Sequence, residues 1–381
     1  MKFFRALTFC SSIFLVGCVS SLKDRVEPNK EFRVNAYWAQ DTLAKANHAF
    51  RKVNRMTPVI HENLIIIGNA YDGLVAYDKE TKYEKWRIPI DLGVEASAIS
   101  VSDFLFIGSN NGKMYSIDLS KGVEVWAFDT KSEIVAEPLL QDGILYFVSG
   151  SQSLYALDAS TGKQLWVHNR QETSNIMTVR GGSKPAFKDG LIYAGFSDGT
   201  LVALNAKTGT EQWEVSLNRN TRFRDIDASP VFDGDFIYIN SYDDHLYCIA
   251  KSDGQIIWES PIGGFSTPLV TSEVVYVTSS RGEIAALDKK SGQEKWKYSS
   301  KNGILTDPLA YEDLIVTGES RGKLLFLQKD SGAIVNSFEP GRGVFSKPSL
   351  EGDRFYFISG EGNIYGLKAY YDTKSSIYYL K

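Results

Sequence analysis

Three charged residues stand out in two segments that interrupt an otherwise regular chain. Arg180 lies in Met177-Thr178-Val179-Arg180-Gly181-Gly182-Ser183-Lys184-Pro185, and Asp225 and Asp227 lie in Arg222-Phe223-Arg224-Asp225-Ile226-Asp227-Ala228-Ser229-Pro230. A guanidinium is a planar fork of donors that matches a carboxylate, so Arg180 can pair with either Asp or with an acid on another molecule. Met177 and Val179 beside it supply an apolar centre with an arginine anchor and a polar rim, the composition of a protein-binding surface. The other reading is an internal brace that fixes the two segments to each other, and the two roles are compatible. Signals for catalysis are weaker. The four histidines, at 48, 61, 168 and 245, have no ligand spacing, no Gly-x-Ser-x-Gly elbow occurs, and no group of acids stands out as a metal cage. A Ser–His–Asp triad leaves no spacing signature, since it assembles across distance. No catalytic residue, metal or cofactor is therefore expected.

The second chemical signal is at the N-terminus. Lys2 and Arg5 precede an apolar run, Ala6 to Val16, that is too short to span a bilayer and has the order of a secretory signal. The run ends in Leu15-Val16-Gly17-Cys18, which resembles the bacterial lipobox, in which the Cys thiol is acylated and becomes the mature N-terminus. Residues 1–17 are expected to be a signal peptide and 18–31 a lipid-anchored tether. Cys10 would leave with the signal, Cys18 would carry lipid, and Cys248 would remain alone in an apolar strand, so no disulfide forms within the mature chain. Anchoring needs no membrane helix, because buried acyl methylenes contribute about 0.8 kcal/mol each. The formal charge of -4 and the absence of a long Lys/Arg run disfavour nucleic acid as a partner.

The elements that position these residues follow from a repeat. Tryptophans stand at 38, 86, 126, 166, 213, 258 and 296. The last six end units with one internal ruler: Pro opens the unit, an Asp-like residue follows 20 positions on, and Trp 8 after that, as in Pro138, Asp158, Trp166. Ala98 replaces the opening Pro once, Asn336 replaces Trp in a seventh unit, and Pro348 with Lys368 begins an eighth. Periods near 40 residues indicate a propeller or solenoid. Each unit reads as four short strands with Asp-Gly and Thr-Gly turns, where Gly accepts positive φ. A four-stranded sheet cannot bury both faces alone, so the units must stack radially. The expectation is an all-β, eight-bladed β-propeller over residues 32–369. Its ring is closed when the orphan strand around Trp38, Arg33 to Gln40, joins the last blade, leaving residues 370–381 as a tail.

Connector lengths mark where the array is irregular. From each Trp position to the next unit start, five connectors measure 10 or 12 residues, but Trp38–Pro58 is 20, Trp166–Pro185 is 19 and Trp213–Pro230 is 17. The last two are consecutive and equivalent, so they should stand side by side on one face and form a binding surface. These are the segments that hold Arg180, Asp225 and Asp227.

Ala156-Leu157-Asp158-Ala159-Ser160-Thr161-Gly162-Lys163-Gln164-Leu165-Trp166 resembles the tryptophan-docking repeat shared by quinoprotein dehydrogenases and the BamB lipoproteins. Met177 to Pro185 is similar to the BamB family's Leu-x-Leu-Arg-Gly-x-Ser-x-Pro loop, with Met177 and Val179 in place of the leucines, and Asp225 to Pro230 to its Asp-Val-Asp-x-x-Pro loop. The resemblance implies a scaffold of the outer-membrane β-barrel assembly machinery, anchored in the outer membrane and facing the periplasm. It implies that Met177, Val179, Arg180, Asp225 and Asp227 contact the POTRA region of the barrel-inserting subunit BamA, with nascent outer-membrane proteins as further clients. Two other readings stand beside it: a quinone-dependent dehydrogenase, which fits poorly with the missing Cys-Cys pair and Cys-x-x-Cys-His motif, and a propeller that binds another envelope protein or polysaccharide.

Overall fold

The computed structural model describes residues 30–44, 53–170, 182–219 and 223–373. The signal peptide, Cys18, Met177, Val179, Arg180 and the end of the tail lie outside these residues. Residues 32–370 form one compact unit. It contains eight four-stranded antiparallel sheets and, among the described residues, no helix. Seven sheets are sequential blades, with strands spanning 59–89, 98–129, 139–169, 186–216, 231–260, 269–299 and 309–338 (blades 1 to 7). In blade 8 the strand Lys30–Asp41 pairs outside Asn363–Thr373, followed by Arg354–Ile358 and Ser349–Glu351. The N-terminal strand thus closes the ring as expected. Its partner strand runs to Thr373, past the expected end of the propeller at 369.

The blades share their cores. One apolar cluster joins Ile66, Leu74 and Ala76 of blade 1 to Leu105, Ile107 and Ile117 of blade 2, and another joins Tyr193, Leu201 and Ala203 of blade 4 to Ile237, Ile239 and Tyr247 of blade 5. The seam between blades 8 and 1 is filled by Trp38, Tyr356, Ile358 and Ile364 against Ile65, Ile67, Val75 and Tyr77. Burial is therefore inter-blade: each apolar side chain leaves water only when the next sheet arrives, at roughly 25 cal/mol per Å² of apolar surface covered.

The ruler has a physical basis at each seam. In blade 3, Asp158 Oδ1 accepts the amides of Ser160 at 3.1 Å and Thr161 at 2.8 Å, closing the turn, and the hydroxyl of Ser160 helps hold its carboxyl below the usual range. The next strand carries a bulge: Ala156 faces Trp166 but Leu157 faces Gln164, so Leu165 is skipped. The same shift recurs in blades 1 to 7. A bulge re-aims the side chain beside it, and here that side chain is the tryptophan, which lies against the turn of the following blade. Trp126 Nε1 donates to Ala159 O at 3.0 Å, Trp166 to Ala206 O at 3.0 Å and Trp296 to Lys329 O at 2.8 Å. Trp213 departs from the pattern: Ala250 replaces the turn acid of blade 5, and the buried Trp213 Nε1 has no acceptor among the described residues.

The turn glycine is required twice over. Gly292 has φ +70°, and a Cβ there would lie 2.5 Å from Trp258 Cε3. The two seams of blade 8 lack this joint. Lys82, at φ +66°, stands where the glycine would be and holds its ammonium 5.1 Å from the centre of the Trp38 ring. On the other side Asn336 replaces tryptophan and donates from Nδ2 to Phe32 O at 3.0 Å, while Phe32 packs on Phe326 with centroids 5.2 Å apart.

Gly292→Ala should cost about 2 kcal/mol or more of stability, because it combines a left-handed backbone with a clash against an indole. Gly143→Ala, at φ +77° with nothing within 4 Å, should cost only the backbone share, about 1 kcal/mol. Urea midpoints of the two variants measure the difference, and equal losses would mean that the indole yields freely.

Candidate functional site

The connectors that lead from one blade's tryptophan strand to the next blade's opening proline converge on a central cavity of about 750 Å³. Their last residues alternate like a strand. The residue two before each proline is buried between blades: Ser183 Oγ donates to Ala228 O at 2.8 Å, and Ser266 Oγ to Thr278 O at 3.0 Å. The residue one before it and, except at Leu305, the residue three before it face the cavity, among them Arg55 and Thr57, Glu95 and Ser97, and Asp227 and Ser229. Lys184 enters in the same way and forms an ion pair with Glu137 of the preceding connector.

The Ser183–Ala228 bond joins the two long connectors, so their described parts are neighbours on one face. Each is stapled where it begins. Arg170 Nε donates to Asp198 at 2.8 Å and Nη1 to Glu214 at 3.0 Å, with the guanidinium over the Phe196 ring. The Arg219 amide donates to Asp243 at 2.9 Å, and its guanidinium to Glu259 at 2.7 Å.

The two acids picked out from the sequence sit in different surroundings. Asp225 is fully buried, and its carbonyl accepts the Tyr242 amide at 3.0 Å. Ile226 plugs the next step: its Cγ2 occupies the space beside Gly195, where a Cβ would lie 2.3 Å away. Asp227 lines the cavity. It is part-exposed, and burial pushes its pKa up to about 8, with the nearby Asp225 charge adding to the rise and Arg55 opposing it. Arg55 and Tyr242, which carries no repeat signal, were not legible as site residues in the sequence. Arg55 could have been found from its register, three residues before Pro58 just as Asp227 is three before Pro230.

Among the described residues no group of three or more His, Cys, Asp or Glu is placed to hold a metal ion. His168 packs on Phe196 and His245 on Tyr247. Cys248 is buried, which raises its thiol pKa to about 11, so it is a core residue with little thiolate.

This architecture defines a tryptophan-docked, eight-bladed β-propeller whose central cavity is lined by charged, hydroxyl and aromatic residues. The same fold occurs in BamB from Moraxella catarrhalis, with a TM-score of 0.76 and 19% identity over 88% of this chain and 100% of that one. It also occurs in a europium-containing methanol dehydrogenase, with a TM-score of 0.72 and 12% identity over 88% of this chain and 93% of that one. At such identities the likeness is one of fold. Sequence separates the two. The family model for outer membrane protein assembly factor BamB matches residues 91–298, more than half of the chain. Assembly factors of that name from Xanthomonas campestris and Legionella pneumophila are 33% identical over 79 residues and 26% identical over 142. These stretches span 21% and 37% of this chain, and 20% and 37% of those relatives. The chain belongs to the BamB family.

The raised Asp227 pKa gives a signed pH dependence. Folding lifts it from the ordinary 3.8 to about 8. The folded chain therefore holds this proton more tightly than the unfolded one. The resulting stability is fully present below about pH 4 and is lost as pH rises towards 8. Asp227→Asn should gain stability relative to the parent as pH rises from 5 to 9, by a few degrees in Tm. Parallel Tm curves across that range would show that the carboxyl ionises without penalty.

Proposed function

We propose that this protein is a non-catalytic scaffold of the outer-membrane β-barrel assembly machinery. It needs no resident cofactor, binds the POTRA region of the barrel-inserting subunit, and aids folding and insertion of outer-membrane proteins. Residues 1–17 act as signal peptide, Cys18 carries the lipid, residues 18–31 tether the ring to the outer membrane, and the propeller faces the periplasm. Family membership supports the assembly role. The observation that carries the docking surface is the Ser183–Ala228 junction, which brings the two long connectors together at the cavity mouth with Asp227 facing inward. Met177, Val179 and Arg180 belong to the first of these connectors and form the contact with Asp227. Asp225, fully buried in the second connector, belongs to the same partner-binding surface.

Arg180→Glu should weaken capture of a purified POTRA fragment at least tenfold, about 1.4 kcal/mol, while leaving Tm within a degree or two of the parent. Unchanged capture would remove the arginine from the interface, and an equal loss of folding would make it a brace. Cys18→Ser should move the protein from the membrane pellet to the soluble periplasmic fraction, with no acyl mass on the N-terminal peptide. Continued sedimentation with membranes would refute the anchor.

A further inference from the structure

The residue just before each blade-opening position lines the central cavity in all eight blades. In chain order these are Thr57, Ser97, Glu137, Lys184, Ser229, Thr267, Asp307 and Lys347. The order is hydroxyl, hydroxyl, acid, base, given twice. With eight places in the ring, the two acid–base couples lie four blades apart, on opposite sides. The hydroxyls serve register: the Thr57 amide donates to Ser97 Oγ at 3.1 Å and the Ser229 amide to Thr267 Oγ1 at 3.2 Å.

The two couples are not in the same state. Glu137 and Lys184 are closed on each other as an ion pair. Asp307 accepts the Thr267 amide at 3.2 Å, and burial raises its pKa, with the Lys347 charge opposing the rise and Glu137 adding to it as a like charge. Lys347 is half-buried and makes no hydrogen bond or ion pair among the described residues. This open couple sits beside the aromatic part of the cavity. Tyr242 and Phe265 stack with centroids 5.9 Å apart, and Phe345, two residues before Lys347, also lines the space.

An acid and a base on consecutive connectors that do not close into an ion pair, facing one cavity with stacked rings, complement a small molecule that bears both charges and a ring. We propose that the central cavity binds a free aromatic α-amino acid, its carboxylate on Lys347, its ammonium on Asp307 and its ring against Phe345, Phe265 and Tyr242. A simple anion would meet Lys347 but be repelled by Asp307, and a simple cation the reverse, so only a zwitterion satisfies both. An arriving ammonium also supplies the counter-charge that favours the ionised form of an enclosed carboxyl. The site shares its cavity with Asp227 of the preceding proposal, but its test uses no partner protein, so the two proposals fail separately.

The test is calorimetric titration of the full chain with four probes: L-phenylalanine, phenylalaninamide, N-acetylphenylalanine and L-alanine. These remove in turn nothing, the carboxylate, the ammonium and the ring. L-Phenylalanine should bind, and each of the other three at least about tenfold more weakly, the loss of one favourable contact. Lys347→Met should reduce L-phenylalanine binding by a similar factor with Tm unchanged. Should that variant unfold, Lys347→Gln, which keeps a polar head, gives the same reading. Absence of binding at about 10 mM, where an affinity worth even a few kcal/mol registers, would overturn the proposal. So would equal binding of the four probes, or full binding by a folded Lys347 variant.

Discussion

A blade of this protein has two apolar faces and no means of covering either. Ile65 and Ile66 are adjacent in one strand, and each is fully buried, yet they belong to different cores, one shared with blade 8 and one with blade 2. Adjacent strand residues point to opposite faces, so a strand of continuous hydrophobics makes sense only where neighbours stand on both sides. The ring is the arrangement that gives every face a neighbour. The indole joints work within this constraint. Each anchors the outer strand of one blade to the turn of the next, at the radius where the sheets diverge and side-chain packing alone would thin out.

This constraint also accounts for what the sequence revealed. The indole, the turn acid and the left-handed glycine each need one residue type at one place, so the repeat could be read as a ruler, and the orphan Trp38 strand could be assigned to the last blade. The cavity was harder to read. Its lining comes from single residues, one per blade, whose types differ because they face a space and not a fixed neighbour. Glu137, Asp307 and Arg55 become meaningful only when the eight connectors are aligned on their prolines. Asp225 and Asp227 show the limit of pattern reading. Two residues apart, they should share a side by strand alternation, but Ile226 is wedged against Gly195 and the backbone of Asp225 is drawn to Tyr242, so one acid is internal and the other faces the cavity.

The connectors combine two tasks that conflict in most loops. They carry the variable chemistry, and they also hold blade-to-blade register through Ser183, Ser266 and the amide bonds of Thr57 and Ser229. A surface assembled from such segments is rigid at its base, because each connector is fixed within three residues of the cavity by its neighbour. Connector length can then vary, as in the two long connectors, without loosening the ring.

Blade 8 adds a constraint in time. Its outer strand, Lys30–Asp41, is synthesised before any other described part of the ring, and its partner, Asn363–Thr373, after every other. Pairing across so long a stretch of chain is entropically the slowest contact to make. The first strand therefore has no partner until the last strand of the ring has been made. Its sequence suits that wait: Lys30, Glu31, Asn35, Gln40 and Asp41 interrupt the apolar positions, so an early, unpartnered edge is a poor template for aggregation.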